Sequence, residues 1–506
     1  MKTSNIALSA AMVAALGPLS TLAAQKEAER PNIIFILVDD LGYADVGFNG
    51  STFFETPNID QLASQSVVFD NSYMYPTSSP SRTAIFTGQQ SFRTGVYTVP
   101  VLEKGSAEEN IFSRWCVSTD IPIYSEVLSE VGYKSIHLGK WHIVGPDPIE
   151  EEGLEYPFAK KLSQPNPGSY TWVSAHKTDP RITKYYPQER GFVENVGGTY
   201  RGDPALCEGG YANPSGGYKA PFTNPFIEPK AGDEWLTDRL TDDAIGFMKE
   251  YRDEPFFINL HYYTVHRPIV KRSEELYQKY AAKAGDETLG QGLGPKRDDH
   301  CAYATMIESL DDNVAKIMEF LRESGLEENT VVVFTSDNGH NSIVSDNKLM
   351  RGAKGAIYEG GVRVPTFIYW SGHIQGRVSE VPVSSVDYFP TFLDIANIEG
   401  YDGTLDGVSI LPYLKKDNAK GYERPIIWQL SSQYIHGTCT AVRCGDYKLI
   451  EFLASGEVEL YNLKEDPMES INLKDAEPKV AERLVSYITQ WRAQNNVPLP
   501  PNAVVK

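Results

Sequence analysis

Unbroken apolar runs and segments of helical periodicity alternate along most of this chain. Ile33-Ile34-Phe35-Ile36-Leu37-Val38, Phe256-Phe257-Ile258-Asn259-Leu260 and Val331-Val332-Val333-Phe334 are apolar almost throughout instead of alternating, which predicts strands covered on both faces, as in the parallel part of an α/β sheet. Tyr133 to Leu138 reads as another strand, and Val67 to Phe69 as a short one. Between them lie helical signals. Thr56-Pro57 opens a helix to about Gln65 by N-cap and first-turn logic, Asp120-Ile121-Pro122 starts one that ends near Gly132, and Leu236 to Tyr251 is a third. Tyr303, Met306, Ile307, Leu310, Val314, Ile317, Met318 and Leu321 recur at helical spacing until Gly325 stops the helix.

The pattern changes twice. From Gly145 to about Glu234 periodicity gives way to Pro, Gly, Asn and rings (Tyr170, Trp172, Tyr185, Tyr186, Tyr200, Tyr211, Tyr218), an excursion long enough to suggest function. Rings exposed over a cleft would suit stacking on sugar faces, and the Gly-rich loop Gly285 to Asp298 is a second expected part of such a cleft. Around Gly400 to Tyr422 the composition turns polar. Beyond it Pro425–Gln429, Thr440–Arg443, Tyr447–Phe452 and Val458–Tyr461 read as short antiparallel strands before a terminal helix from Pro478 to Gln494. The expected class is α/β: a large mixed, mostly parallel sheet flanked by helices, plus a smaller C-terminal α+β domain with a short antiparallel sheet. The expected divisions are 1–24, 25–415 and 416–506.

Residues 1–24 stand apart. Lys2 precedes an apolar run from Ile6 to Leu22, and Thr21-Leu22-Ala23-Ala24 offers a small-residue cleavage site, the form of a secretory signal peptide. No cysteine follows that site and no later run is long enough to span a membrane, so the expectation is an exported, periplasmic or secreted protein without a membrane anchor. At 506 residues and a formal charge of −20, the chain has no Lys/Arg run to act as a nucleic-acid footprint. An anionic substrate would need positive charge concentrated at one place. The five cysteines (Cys116, Cys207, Cys301, Cys439, Cys444) are scattered, with Cys439 and Cys444 a candidate pair across a short hairpin.

Candidate chemistry gathers where strands end. The first run ends in Asp39-Asp40-Leu41-Gly42, and the Val331 run in Ser336-Asp337-Asn338-Gly339. Carboxyl ends of strands are where α/β sheets place ligands, and two acids, an acid and an amide form an oxygen-rich set suited to a hard cation such as Ca²⁺ or Mg²⁺. Lys140 and His142 follow the Tyr133 strand, and His266 follows the Phe256 strand, where Pro268 holds Arg267 extended. Ser78-Ser79-Pro80-Ser81-Arg82 reads as a loop entering a helix, with Ser79 as N-cap, Ser78 at the positive end and Arg82 one turn on. Lys354, in the Gly-rich Met350–Gly355 stretch, is a point charge able to reach an anion.

In order, Asp39-Asp40-Leu41-Gly42, Ser78-x-Pro80-Ser81-Arg82 with Thr87-Gly88, Gly139-Lys140-Trp141-His142, His266 before Arg-Pro, Ser336-Asp337-Asn338-Gly339 and Arg351-Gly352-x-Lys354-Gly355 resemble the type I sulfatases of the alkaline phosphatase superfamily. Glu459-Leu460-Tyr461-Asn462-Leu463 with Asp466-Pro467 and Asn472-Leu473 resembles their C-terminal signature. The resemblance implies that Ser78 is oxidised by a maturation enzyme to formylglycine, whose hydrate attacks sulfur. It also implies one Ca²⁺ held by Asp39, Asp40, Ser78, Asp337 and Asn338. Arg82, Lys140 and Lys354 would supply positive charge, His266 a proton to the leaving alcohol, and His142 a base for the second hydroxyl. The implied substrate is a sulfated saccharide, with algal galactans such as carrageenan or glycosaminoglycans as candidates. A phosphatase or phosphodiesterase using unmodified Ser78 is the nearest rival, and a non-catalytic sugar-binding relative another.

Overall fold

The computed structural model describes residues 30–99, 105–143, 170–205, 217–230, 232–285, 296–345, 347, 350–415, 423–431 and 435–506. The expected signal peptide, Tyr211, Cys207 and most of the Gly285–Asp298 loop lie outside these residues.

The apolar runs form a single sheet. Strands β1 (Asn32–Val38), β2 (Val67–Phe69), β4 (Lys134–Gly139), β5 (Glu194–Val196), β6 (Phe256–His261), β7 (Thr330–Ser336), β8 (Phe367–Trp370) and β9 (Arg377–Ser379) lie in the order β5-β4-β6-β1-β7-β8-β2-β9. The pairs from β5 to β7 are parallel, β8 runs antiparallel to both β7 and β2, and β2 pairs with β9 in parallel. Strand β3 (Ser72–Tyr73) pairs separately with β10 (Val383–Ser384).

Unbroken apolarity has the meaning expected of it, because each face carries a helical layer. Ile34, Ile36 and Val38 pack with the helices Pro57–Ser64, Leu236–Glu250 and Arg297–Ser324. Ile33, Phe35 and Leu37 pack with Ser78–Thr87, Tyr124–Glu130 and Tyr388–Ile395. The helix expected from Asp120 starts later, at Tyr124.

A second sheet is antiparallel, in the order β11 (Ile426–Leu430), β12 (Cys439–Cys444), β13 (Tyr447–Phe452) and β14 (Glu457–Asn462). One face lies on the helix Pro478–Asn495 through Leu484 and Ile488, and the other on Tyr73 and Ala356–Tyr358. Trp428 crosses that junction, its ring edge-on to Tyr73 and its indole N–H donating to the Met74 carbonyl at 3.0 Å. A buried ion triad lies at the same junction: Lys448 Nζ is 3.0 Å from both Glu359 Oε1 and Glu469 Oε1. Cys439 and Cys444 occupy opposite ends of one strand, opposite Phe452 and Tyr447, so they do not face each other across a hairpin. Both are free thiols, as are Cys116 and Cys301.

Candidate active site

Four strands contiguous in the large sheet, β4, β6, β1 and β7, release their chains at one edge. β1 delivers Asp39 and Asp40, β7 delivers Asp337 and Asn338, β4 delivers Lys140, and β6 leads to His266. Close approach there requires glycine. At Gly139, with φ of +89°, a Cβ would lie 2.1 Å from the His261 carbonyl oxygen. At Gly339 it would lie 1.9 Å from that of Gly360.

The helix Ser78–Thr87 brings its first turn against these strand ends. Ser78 Oγ is 3.5 Å from Asp39 Oδ1, 3.3 Å from Asn338 Oδ1 and 3.3 Å from Lys140 Nζ. The expected N-cap moves. Extended Thr77 takes that place, because Ser79 lies inside the helix and its hydroxyl donates to the His142 carbonyl at 3.0 Å. Arg82 is fully buried. Its Nε donates to Asp337 Oδ2 at 2.9 Å, and Nη1 donates to the Lys140 carbonyl at 2.8 Å and lies 3.1 Å from His261 Nδ1. Its charge pairs with Asp337 and also acts on Lys140 and His142.

Lys140 Nζ meets Asp39 Oδ2 at 2.6 Å, and Lys354 Nζ meets Asp40 Oδ1 at 2.6 Å. Asp40, at φ of 61°, donates its N–H to Asp337 Oδ1 at 3.2 Å and accepts from Asn338 Nδ2 at 2.8 Å. Burial pushes the Asp39 carboxyl up to about 8 against the pull of Lys140, with Asp337 and Asp40 adding repulsion. Burial acts on Asp40 and Asp337 too, but Lys354 and His266 hold Asp40, and Arg82 and Lys140 hold Asp337, below the ordinary carboxylate range. The Asp40 and Asp337 carboxylates and the Asp39 carboxyl thus face three basic side chains in a buried pocket.

The donor set fits a hard divalent cation on two counts. It consists of carboxylate and amide oxygens, and Asp40 Oδ2 is buried without a hydrogen-bond partner. Asp39, Asp40 and His266 also have ligand atoms all within 4.8 Å of one another.

The two candidate proton-transfer histidines flank this cluster. His266 Nδ1 lies 2.6 Å from the Arg267 carbonyl oxygen, which only accepts, so Nδ1 carries the proton and Nε2 faces Asp40 Oδ2 at 3.9 Å. Burial, Lys354 and Lys140 lower His266 to about 4, while Asp40 and Asp203 pull the other way. Burial and the nearby Lys140 and Arg82 drive His142 well below its ordinary value, which keeps it a neutral base.

Sequence reading missed the strap that joins the two histidines. The Thr199 carbonyl accepts the His142 N–H at 3.1 Å, Gly202 lies against the His142 ring, and Asp203 Oδ1 is 3.6 Å from His266 Nδ1. The strap belongs to the aperiodic stretch, where no period marks which residues turn inward. The expected exposed rings there are a correction: Tyr185, Tyr186, Tyr200 and Tyr218 are buried. Their hydroxyl-bearing rings complete the core under the excursion. Tyr218 Oη donates to the carbonyls of Tyr263 and His266 at 2.7 and 2.8 Å, and so supports the His266 segment from below.

Comparison with known proteins gives a consistent result. A family model described as Sulfatase matches residues 31–398, and one described as N-sulphoglucosamine sulphohydrolase, C-terminal, matches 353–494. N-acetylgalactosamine-6-sulfatase of Mus musculus is 30% identical, covering 86% of this chain and 74% of its own. A protein named Sulfatase from Formosa agariphila is 28% identical over 98% of this chain and 95% of its own. The crystal structure of Ps i-CgsB in complex with k-i-k-neocarrahexaose matches with a TM-score of 0.69 and 26% identity, covering 94% of this chain and 95% of that one.

Proposed function

Because this chain belongs to the sulfatase family and is a sulfuric ester hydrolase, we propose that it removes sulfate from a sulfated saccharide at Ser78, converted to formylglycine, beside a bound Ca²⁺. The observation that carries the reading is the setting of Ser78: a buried hydroxyl within 3.5 Å of Asp39, Asn338 and Lys140, at the start of a helix. A side chain at the start of a helix and beside a lysine is well placed to attack an anion.

Asp39, Asp40, Asp337, Asn338 and the residue-78 side chain would hold the cation. Formylglycine would supply, as its hydrate, two hydroxyls on one carbon, and Ca²⁺ would supply charge that acidifies them and adds to the positive charge of the pocket. The rest is the work of this chain's own residues. Lys140 and Lys354 anchor the sulfate oxygens, and Arg82 keeps Asp337 ionised and in place. His266 presents Nε2 for the leaving sugar oxygen, and an arriving sulfate offsets Lys354 and Lys140, favouring the protonated ring that a general acid requires. His142, held neutral, takes the proton of the second hydroxyl.

A galactose-configured sulfated glycan, an algal galactan such as carrageenan, is the substrate favoured by the relatives, one named for N-acetylgalactosamine and one solved with a neocarrahexaose. The proposed setting is the bacterial periplasm or beyond, reached by the N-terminal leader and supported by the apolar run from Ile6 to Leu22.

The test is expression with an anaerobic-type maturase, peptide mass spectrometry and a desulfation screen across sulfated oligosaccharides. The peptide containing residue 78 should be two hydrogens lighter than its serine form, and free sulfate should appear with at least one saccharide. Unmodified Ser78 together with robust phosphatase activity would overturn the reading.

A further inference from the structure

Lys354 is a long, flexible side chain that must meet a sulfate oxygen, so its reach depends on where the backbone beneath it is fixed. The segment from Arg351 to Gly361 folds on itself, the Gly360 N–H donating to the Arg351 carbonyl at 2.7 Å and the Gly361 N–H to the Tyr358 carbonyl at 2.8 Å. Its middle lies on the site. The Lys354 N–H donates to the His340 carbonyl at 2.8 Å, and the Gly355 N–H donates at 2.7 Å to the carbonyl of Pro76, close before Ser78 in the chain. At its far end the Gly361 carbonyl accepts the Gly339 N–H at 3.0 Å, next to Asn338.

The C-terminal domain grips both ends of that segment. Glu469 is fully buried; its carboxylate accepts the Glu359 N–H at 2.7 Å, and its carbonyl accepts from Arg351 Nη1 at 2.9 Å. Lys448 of β13 donates to Glu359 Oε1 at 3.0 Å, and Tyr73 Oη donates to Oε2 at 3.0 Å. The Arg351 guanidinium lies over the Tyr358 ring at 3.7 Å, and Nη1 also donates to Tyr461 Oη at 3.0 Å. Glu459 accepts from Tyr358 Oη and Tyr461 Oη at 2.8 and 2.9 Å. The turn that presents Glu469 is built by Asp466, whose carboxylate accepts the N–H groups of Ser470 and Ile471 at 2.7 and 2.8 Å. Asn472 Oδ1 ties that turn to β14 by accepting the Leu460 N–H at 3.1 Å. The residues that read in the sequence as a C-terminal signature thus converge on the segment carrying Lys354.

We infer that Glu469 and Arg351 are positioning residues for Lys354, through which the C-terminal domain sets the place of the anion-binding charge without itself meeting substrate. The inference rests on the sulfatase reading, in which Lys354 anchors a sulfate oxygen. Buried charges are a costly way to join two domains, but their short, directional contacts define one arrangement of the segment between them. Loosening either grip lets the start of the Lys354 side chain shift while its ammonium group stays in the protein.

The experiment uses the full chain with Glu469→Ala, Glu469→Gln and Arg351→Met, each alone and combined with Lys354→Ala. In the unconverted form, the single variants are titrated calorimetrically with inorganic sulfate in calcium-containing buffer. In the converted form, all are assayed on the saccharide that the parent desulfates. Glu469→Ala and Arg351→Met should each lower sulfate affinity and kcat/KM about tenfold, short of the roughly hundredfold that a 1 Å misplacement can cause. Glu469→Gln, which keeps an acceptor for the Glu359 N–H, should stay within about threefold of the parent. In the Lys354→Ala background the further fall in kcat/KM should shrink to less than about twofold, since a residue acting through Lys354 has nothing left to place. A tenfold fall that persists in that background would make the contacts merely structural and overturn the inference. Sulfate affinity and kcat/KM within twofold of the parent in both Glu469→Ala and Arg351→Met would overturn it too, as would failure of the parent to bind sulfate. Should Glu469→Ala not fold, Arg351→Met, at a half-buried position, carries the same cycle. If no saccharide is desulfated the sulfatase reading falls, and the sulfate titration of the Glu469→Ala and Glu469→Gln pair and of Arg351→Met still decides the positioning role.

Discussion

Asp39 and Asp40 are chain neighbours with opposite tendencies, because each faces a different part of the cluster. Asp39 gains least from its surroundings and is pushed toward the neutral acid, while Lys354 and His266 keep Asp40 ionised. The side chains around them separate into those that touch substrate and those that act through another group. Lys354→Ala is expected to lower kcat/KM about 10²- to 10³-fold, as loss of one preorganised charge does, and to lower the urea midpoint as well, because it leaves the buried Asp40 carboxylate without its cation. Arg82→Met acts through Asp337. It strands that carboxylate as an uncompensated buried charge and should cost about 3–5 kcal/mol in urea denaturation, with activity falling further than the loss of folded protein explains, because Arg82 also keeps Asp337 ionised and in place. His142→Ala and His266→Ala are each expected to cut kcat about 10²-fold or more in converted protein, measured by sulfate release. These histidines and their acid and amide neighbours were legible in the sequence because each follows a strand run by a few residues. Asp203 was not, since nothing local distinguishes an inward acid from a surface one.

At the level of elements, the junction between β13, the Glu359 segment and the loop carrying Glu469 holds two acids against one lysine. Burial, and after it the neighbouring Glu359 carboxylate, push Glu469 up to about 7 against the pull of Lys448. A folded value above the ordinary 4.5 means the folded state binds the proton more tightly. The associated stability is complete below about pH 4.5 and is lost as pH rises through about 7. By linkage the loss is at most roughly 3 kcal/mol. Glu469→Gln keeps an acceptor for the Glu359 N–H without the titration. The difference in Tm between variant and parent should therefore grow in the variant's favour from pH 5 to pH 8, read by scanning calorimetry. A parallel pair of Tm curves would refute the assignment. The strands of this small sheet were legible as short separate segments of the sequence. Their attachment to the large domain was not, because Lys448 and Glu359 are 89 residues apart and no local period records their meeting.

For the molecule as a whole, the balance of charge is the governing feature. A chain of net charge −20 gathers Arg82, Lys140 and Lys354 around Asp39, Asp40 and Asp337, which concentrates positive charge at one place. Adding Ca²⁺ at about 100 times its dissociation constant should stabilise the folded chain by about 2.7 kcal/mol, and Asp40→Asn should abolish most of that Tm rise. The sequence by itself determined the layered α/β class, the small antiparallel domain, and the acids, amide, lysines and histidines that the strands release at one edge. It could do so because period and run length are local properties of a few consecutive residues. Only the tertiary structure decided that Tyr185, Tyr186, Tyr200 and Tyr218 are core and that Arg82 pairs with Asp337. Those outcomes depend on which strands lie side by side and which surfaces they cover, and burial is a property of the packed whole that no segment carries alone.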